Sequence, residues 1–134
     1  MLNQYMSYKE HSEMANILIA EDDTSMLGFL KLALEKAGHT VTDKTNGVDA
    51  LETLKNENAV FDLLLTDIVM PGMDGIELSQ QATKFQPELK VMFITGFSAV
   101  AVGREDIKED KAKVLSKPFH LNDLVEQVET LLAA

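Results

Sequence analysis

The stretch FDLLLTD, residues 61–67, is apolar without interruption from Leu63 to Leu65. A strand that packs on one face alternates apolar and polar residues, whereas an unbroken apolar run is typical of a central strand covered on both faces. Residues 61–66 therefore predict a buried strand in the middle of a parallel sheet, with Asp67 directly after it.

Strands and helices alternate on both sides of this stretch. Short apolar or β-branched runs predict four further strands, at residues 17–20, 40–42, 91–95 and 114–116. Because each parallel crossover needs a helix, the sequence predicts a single-domain α/β fold with a doubly wound, five-stranded parallel sheet. The predicted apolar helix positions are Met26, Leu30, Ala33 and Ala37; Val48, Leu51 and Leu54; Leu78, Ala82 and Phe85; and Leu121, Leu124, Val125, Val128 and Leu132.

Three segments interrupt or bound this pattern. Gly38 follows the first predicted helix at the position of a left-handed C-cap. Residues 98–110 contain Gly103 and a dense run of charges, so the helix there is predicted to be short or mobile. Residues 1–15 are polar and aperiodic, which predicts a flexible extension before a domain at residues 16–134.

The composition limits the kinds of partner. The 134 residues include 22 Asp and Glu against 12 Lys and Arg, giving a formal net charge of −10. This charge disfavours contact with nucleic acid backbones and anionic membranes, because both are negatively charged. The chain has no cysteine, no apolar run of roughly 20 residues and no signal-peptide pattern, so a cytoplasmic protein that binds neither nucleic acid nor membrane is expected.

Polar residues stand where the predicted strands end. In an open parallel sheet, ligands bind beyond the carboxyl ends of the strands, so these side chains are expected to converge. Closely spaced carboxylates repel one another unless a cation intervenes, and Mg²⁺ prefers oxygen ligands. The residues at these strand ends are Glu21, Asp22, Asp23, Asp67, Thr95 and Lys117.

The central position of Asp67 suggests a nucleophile. A carboxylate can attack a phosphoryl group and form an aspartyl phosphate. Lys117 would neutralise the incoming phosphoryl oxygens, the Thr95 hydroxyl could donate a hydrogen bond to one of them, and Gly96 would leave room for the group.

Each of these residues also has a purely structural interpretation. Asp67 could be a turn residue, Thr95 a β-branched strand end, and Lys117 a solvated cation. The acids at 21–23 could simply favour a helix N-terminus. Their combined placement at one edge of the predicted sheet favours the functional interpretation.

The motifs ILIAEDD, LLLTDIVMPGMDGIEL, FITG and LSKPF resemble the CheY-like receiver domains of response regulators in order and spacing, over residues 16–132. The resemblance implies a flavodoxin-like fold and a phosphoacceptor at Asp67. It also implies that Thr95 is the switch hydroxyl and Lys117 the phosphate-sensing lysine, followed by a cis bond to Pro118. Bound Mg²⁺ is implied as cofactor, with the acidic pair Glu21 and Asp22, the Asp67 carboxylate and the Val69 backbone carbonyl as its site.

Two departures from the family pattern stand out. Val114 occupies a position, three residues before Lys117, where the family often has an aromatic ring that swings inward on phosphorylation. A shift of the segment after Thr95, residues 96–110, is therefore the expected readout. Val69 and Phe97 are apolar where the family often places polar residues that orient water, which predicts slow self-dephosphorylation.

The runs LLLTDIVMPGMDGIEL, KVMFITGF and KVLSKPFHLNDLVEQVE are further similar to a group of single-domain receivers. The resemblance implies phosphorylation by a histidine phosphotransferase or histidine kinase in a cell-cycle phosphorelay. It also implies an adaptor that binds ClpX and primes ClpXP proteolysis when unphosphorylated. No output domain is expected after residue 134.

Other functions remain as alternatives to this one. The alternatives are a CheY-like receiver that is active when phosphorylated and binds another target, and a phosphate shuttle in a relay. A phosphohydrolase is disfavoured because Val69 stands where dehalogenase-type phosphatases place a second acid, so no enzyme is expected beyond slow reactions of the phosphoacceptor itself. An inert domain is disfavoured because every phosphorylation residue is present.

Overall fold

Five strands form one sheet in the computed structural model, which describes residues 15–56, 60–96 and 112–134. Every pair of neighbouring strands is parallel. The order across the sheet is β2-β1-β3-β4-β5, so the predicted five-stranded parallel sheet is confirmed. The strands are β1 Asn16–Ala20, β2 Thr40–Lys44, β3 Leu63–Asp67, β4 Lys90–Thr95 and β5 Ala112–Ser116.

Four helices within the described residues cover the two faces of the sheet. One core cluster joins one face of the sheet to α1 and α4, and another joins the opposite face to α2 and α3. The fold is therefore a doubly wound α/β domain, as predicted. The helices are α1 Thr24–Lys36, α2 Gly47–Asn56, α3 Gly75–Phe85 and α4 Leu121–Ala133.

The central strand is β3, and all five of its residues are buried. Leu63 and Leu65 pack with α1 and α4, whereas Leu64 packs with α2 and α3. Successive side chains of a strand point to opposite faces. A strand between two helical layers therefore buries the side chains on both of its faces, which explains the unbroken apolar run from Leu63 to Leu65.

Several strand boundaries differ from the predictions. β3 begins at Leu63 rather than at residue 61 and includes Asp67 as its last residue. β2 extends to Lys44 and β5 begins at Ala112, each two residues beyond the predicted limit. Backbone pairing with β1 and β4 extends these strands, and apolar patterning does not report such pairing.

The predicted apolar face of α1 is partly wrong. Its buried residues are Leu27, Leu30 and Leu34, whereas the predicted Ala33 and Ala37 are only half-buried. The helix has apolar residues on two faces, so spacing alone could not decide which face packs on the sheet. Ala37 is the C-cap, and Gly38 follows with φ 103°, which confirms the predicted left-handed position.

Three residues predicted to face the core are exposed instead: Val48, Phe85 and Leu121, with 52%, 49% and 37% of their surface accessible. Each lies in the first or last turn of its helix. A helix end projects past the neighbouring elements that cover the middle of the helix, so an apolar residue there can remain in solvent.

Ala15, which the sequence pattern assigned to the N-terminal extension, is the first residue that the structure describes. Ala15 is buried, and its carbonyl accepts a hydrogen bond of 2.9 Å from the Thr40 N–H. The rest of the predicted extension, residues 1–14, and the predicted short helix at 98–110 lie outside the described residues. Among the described helices, none has the length and apolar character needed to cross a membrane.

Candidate functional site

Three carboxylates meet at the carboxyl end of the sheet. Glu21 and Asp22 follow β1, and Asp67 ends β3, which is paired directly with β1. One carboxylate oxygen from each of the three residues lies within 4.8 Å of the others. Glu21 and Asp67 are buried, whereas Asp22 is exposed. The convergence predicted from the strand ends is therefore present, and the pairing of β1 with β3 produces it.

Asp23 has a different position from the other acids. Its Oδ1 accepts hydrogen bonds from the N–H groups of Ser25 and Met26, at 3.0 and 3.2 Å, which makes it the N-cap of α1. Its own N–H donates to Glu21 Oε2 at 3.0 Å. The helix-cap interpretation therefore holds for Asp23, which also holds the Glu21 carboxylate in place.

Lys117 places one ammonium group beside two of the carboxylates. Its Nζ lies 3.3 Å from Asp67 Oδ2 and 3.6 Å from Glu21 Oε1. Desolvation lowers the pKa of Lys117, but the Asp67 and Glu21 carboxylates outweigh it and raise that pKa above its ordinary value. Lys117 is therefore a cation at the site, and the peptide bond to Pro118 is cis.

Burial makes the ionised form of Glu21 costly. Burial raises its pKa from 4.5 to about 7, and the Asp67 carboxylate adds to this effect, while the Asp23 N–H and Lys117 oppose it. Its buried Oε1 has no hydrogen-bond partner within the described part of the chain. An unsatisfied carboxylate oxygen beside two other carboxylates fits a divalent cation with oxygen ligands. The donor set of the site is therefore compatible with Mg²⁺.

Thr95 and Val69 flank this cluster. Thr95 is the buried last residue of β4, and its carbonyl accepts the Lys117 N–H at 2.7 Å. Asp67 pairs with Ile94, the residue before Thr95. Val69 follows β3 in a loop and has an exposed side chain. The ligand role of its carbonyl stays a prediction.

Gly96 and Val114 complete the surroundings that the described residues show. A Cβ built at Gly96 would meet no heavy atom within 4 Å, so the space beside it is open. Val114 is half-buried against a small cluster that includes Ile68 and Phe93. The apolar Phe97 and the predicted moving segment 96–110 lie, apart from Gly96, outside the described residues.

Gly75, the first residue of α3, lies close to the site and was not among the predicted site residues. Its N–H donates to the Ile68 carbonyl at 2.8 Å, and a Cβ at this position would overlap the carbonyl oxygen of Asp67. The preceding Asp74 caps α3 by accepting the Glu77 N–H. Gly75 thus positions the backbone of Asp67. A glycine directly after a capping aspartate was the available signal in the sequence.

The fold and this cluster define the class of protein. A sequence profile of the response regulator receiver domain matches residues 17–129. The chain therefore belongs to the response regulator receiver family, as its motifs indicated.

Individual relatives show which receiver proteins this chain resembles. The chain is 58% identical to the response regulator receiver protein CpdR of Brucella abortus, over 90% of this chain and 99% of CpdR. It is 34% identical to the sensor kinase CckA of the same organism, over 88% of this chain but only 12% of that kinase. The crystal structure of a response regulator receiver protein from Sinorhizobium medicae superposes with a TM-score of 0.77 and 29% identity, covering 91% of this chain and 97% of that one.

Proposed function

We propose that Asp67 is the phosphoacceptor of a two-component phosphorelay in the cytoplasm. The observation that carries this proposal is the buried Asp67 carboxylate with the Lys117 ammonium 3.3 Å away and two further carboxylates within 4.8 Å. A carboxylate in this setting can act as a nucleophile while the neighbouring cation receives the charge of the incoming group. The domain acts as a phosphorylated switch rather than as an enzyme with a substrate of its own.

The phosphodonor is a histidine kinase or a histidine phosphotransferase. A carboxylate oxygen of Asp67 bonds to phosphorus, the bond between phosphorus and the donor imidazole nitrogen breaks, and that nitrogen keeps the electron pair. Lys117 and the Thr95 hydroxyl contact the phosphoryl oxygens in the product. Glu21, Asp22, Asp67 and the Val69 carbonyl would hold Mg²⁺, which neutralises charge as the phosphoryl group arrives.

The resemblance to CpdR supports a finer role. We propose that the unphosphorylated protein binds ClpX and primes ClpXP proteolysis in cell-cycle control. Phosphorylation replaces the single negative charge of the Asp67 carboxylate with about two on the phosphoryl group, which draws Lys117 and Thr95 toward that group and shifts the balance between two arrangements of the domain. ClpX would bind the arrangement without the phosphoryl group.

The similarity to CckA favours one alternative. The match to that sensor kinase covers 88% of this chain, and a crystal structure of a receiver domain from the hybrid histidine kinase CckA superposes with a TM-score of 0.75. A receiver of this kind would pass its phosphoryl group onward in the relay, as a phosphate shuttle.

Phosphorylation by acetyl phosphate tests the site. The wild type should gain one phosphoryl group by mass spectrometry when Mg²⁺ is present and none in EDTA, and Asp67→Asn should gain none. Asp23→Asn is the matched control, because asparagine keeps the helix cap while a neighbouring charge is removed. Label that persists in Asp67→Asn would assign the phosphoryl group to another residue.

Binding to purified ClpX tests the adaptor role. Unphosphorylated wild type and Asp67→Ala should bind ClpX equally, and wild type treated with acetyl phosphate and Mg²⁺ should bind at least about tenfold more weakly, or about 1.4 kcal/mol. Tighter binding by the phosphorylated form would instead support a phospho-activated receiver. Equal weak binding in every state would leave the phosphoacceptor intact and remove ClpX as the partner.

A further inference from the structure

Thr66 places a hydroxyl group inside the central strand β3. The residue is fully buried, and the three residues before it, Leu63 to Leu65, are all apolar. A valine has nearly the same shape and would fill this position without burying a polar group, which costs free energy unless the group forms a hydrogen bond. The buried hydroxyl of Thr66 therefore needs a hydrogen-bond partner that a space-filling residue would not need.

That partner is the backbone carbonyl of the adjacent Asp67. The Thr66 hydroxyl donates to it at 2.9 Å. Pairing of β3 with β1 ends at Thr66, opposite Ala20. The next backbone N–H of the β1 segment, that of Glu21, donates to Lys44 of β2 at 3.1 Å. The Asp67 carbonyl thus lies past the last paired residue of β1, and the Thr66 hydroxyl supplies its donor.

The same peptide unit is anchored at its other end. The N–H of Ile68 lies in one rigid plane with the Asp67 carbonyl and donates to the Ile94 carbonyl of β4 at 3.0 Å. The Thr66 hydroxyl and β4 therefore hold this plane from opposite sides. Because the sheet holds the peptide unit before Asp67 and these two bonds hold the one after it, the Cα–Cβ bond of Asp67 has a fixed direction.

The hydroxyl lies on the face of β3 opposite to the carboxylate. Successive side chains of a strand point to opposite faces, so Thr66 faces the layer of α2 and α3 together with Leu64. The Asp67 carboxylate instead faces Lys117. Gly75, at the start of α3, closes the side of Thr66, because a Cβ there would overlap the Asp67 carbonyl oxygen. Thr66 therefore acts on the site through the backbone of Asp67.

We infer that Thr66 is a positioning residue for phosphoryl transfer, because its hydroxyl holds the Asp67 backbone so that the carboxylate points at the incoming phosphorus. The inference rests on the proposed phosphoacceptor role of Asp67. A nucleophile approaches phosphorus in line with the breaking bond, and a displacement of about 1 Å can slow such a reaction by about a hundredfold. A hydroxyl that fixes one backbone carbonyl thus controls the rate of transfer without contacting the reacting atoms.

Phosphorylation of the full-length protein by acetyl phosphate, at saturating Mg²⁺, tests the inference. An Asp67 oxygen bonds to phosphorus in this reaction, and acetate leaves with the electron pair of the broken P–O bond. Thr66→Val keeps the side-chain shape but removes the donor, so the maximal rate should fall by about tenfold or more. The acetyl phosphate concentration at half-maximal rate should change less than about twofold, because Lys117 is unaltered. Thr66→Ser restores the donor and should recover the rate to within about threefold of wild type.

Thr53→Val is the matched control for the loss of a buried hydroxyl. Thr53 is buried in α2, and its hydroxyl donates to the Asp49 carbonyl at the same distance, 2.9 Å. Both valine variants should lower the urea midpoint, since each loses a buried hydrogen bond, but Thr53→Val should change the rate of phosphorylation less than about twofold. Equal slowing in the two variants would reflect general loosening of the domain and would overturn the inference.

Thr66→Cys keeps the test decisive if Thr66→Val does not fold. A thiol is a weak donor, so this variant should be phosphorylated more slowly than Thr66→Ser and faster than Thr66→Val. Equal maximal rates for the cysteine and serine variants would overturn the inference, as would a Thr66→Val protein that is labelled at Asp67 as fast as wild type. Label that persists in Asp67→Asn would instead contradict the phosphoacceptor role, and this inference with it, so the two failures are distinguishable.

Discussion

Charged side chains have different partners at the two ends of the sheet. At the amino ends of the strands, Asp62 Oδ2 accepts the Asn16 N–H at 2.7 Å. Nearby, the Lys90 ammonium donates to three carbonyls at the end of α4, at 2.7 to 3.3 Å. At the carboxyl ends, the Lys117 ammonium is the shared ion-pair partner of Glu21 and Asp67. Charges at the first end stabilise the fold, whereas those at the second end form the proposed phosphorylation site.

The largest effect is expected where the carboxyl end is packed most tightly. Gly75→Ala places a methyl group against the Asp67 carbonyl, so it should lower the free energy of unfolding by about 3 kcal/mol and slow phosphorylation by acetyl phosphate. Urea unfolding and the rate of phosphorylation measure the two effects.

Gly28→Ala is the control for that substitution. Gly28 lies inside α1, and a Cβ there would meet no heavy atom within 4 Å. Alanine should therefore leave stability unchanged or raise it by about 0.5 to 1 kcal/mol, because glycine is a poor helix former. If both variants were equally stable, Gly75 would have no positioning role.

The second effect depends on pH and on metal. The pKa of Glu21 is raised to about 7, so the folded state holds this proton more tightly than the unfolded state. Wild type should therefore lose stability as pH rises from about 4.5 to about 7. Glu21→Gln cannot ionise and should be more stable than wild type by about 2 kcal/mol at pH 8 in EDTA, with little of this difference at pH 4.5.

Magnesium provides the control for this prediction. Saturating Mg²⁺ should reduce the difference at pH 8, because the ion compensates the Glu21 charge in the wild type alone. Urea unfolding of both proteins at the two pH values, with and without Mg²⁺, gives the difference in their free energies of unfolding under each of four conditions. A difference between the proteins that is independent of pH would show that Glu21 ionisation does not limit stability.

The third effect separates two adjacent acids. Asp22→Ala should weaken Mg²⁺ binding by about tenfold, because Asp22 offers an oxygen to the carboxylate cluster. Asp23→Ala should instead lower the free energy of unfolding by about 1 kcal/mol through loss of the N-cap, with a smaller change in Mg²⁺ affinity. Calorimetric titration measures the Mg²⁺ affinity of each variant, and urea unfolding measures its free energy of unfolding. Equal losses of affinity would mean that both acids bind the ion.

The smallest effect is expected at the amino ends of the strands, where Lys90 lies. Lys90→Met removes the ammonium that caps α4 and should lower the free energy of unfolding by about 1 kcal/mol. Phosphorylation should be unaffected, since Lys90 lies at the opposite end of β4 from Thr95. Lys84→Met, at an exposed position of α3, should change neither quantity. A loss of phosphorylation in Lys90→Met would mean that the two ends are coupled.

Most of the fold could be predicted because its signals are local. The unbroken run from Leu63 to Leu65 indicated a doubly covered strand, and the structure places it at the centre of the sheet. The exposed Phe85 and Val48 were misassigned because periodicity describes a helix alone and not what lies beyond its ends.

The candidate site was predictable to a similar degree. Residues at strand ends meet when the strands are parallel neighbours, so the order of strands brings Glu21, Asp22 and Asp67 together. The exact environment was not predictable. The raised pKa of Glu21 depends on burial by residues distant in sequence, and the role of Gly75 depends on the close approach of α3 to Asp67.

The sequence by itself determined the alternation of strands and helices, the excess of acidic charge and the identity of the polar residues at the strand ends, since these follow from local patterns. Only the tertiary structure decided which face of α1 joins the core, which acid caps a helix and which is buried with a raised pKa. These properties arise from packing between elements far apart in the chain, where burial and electrostatic environment depend on neighbours that no local pattern specifies.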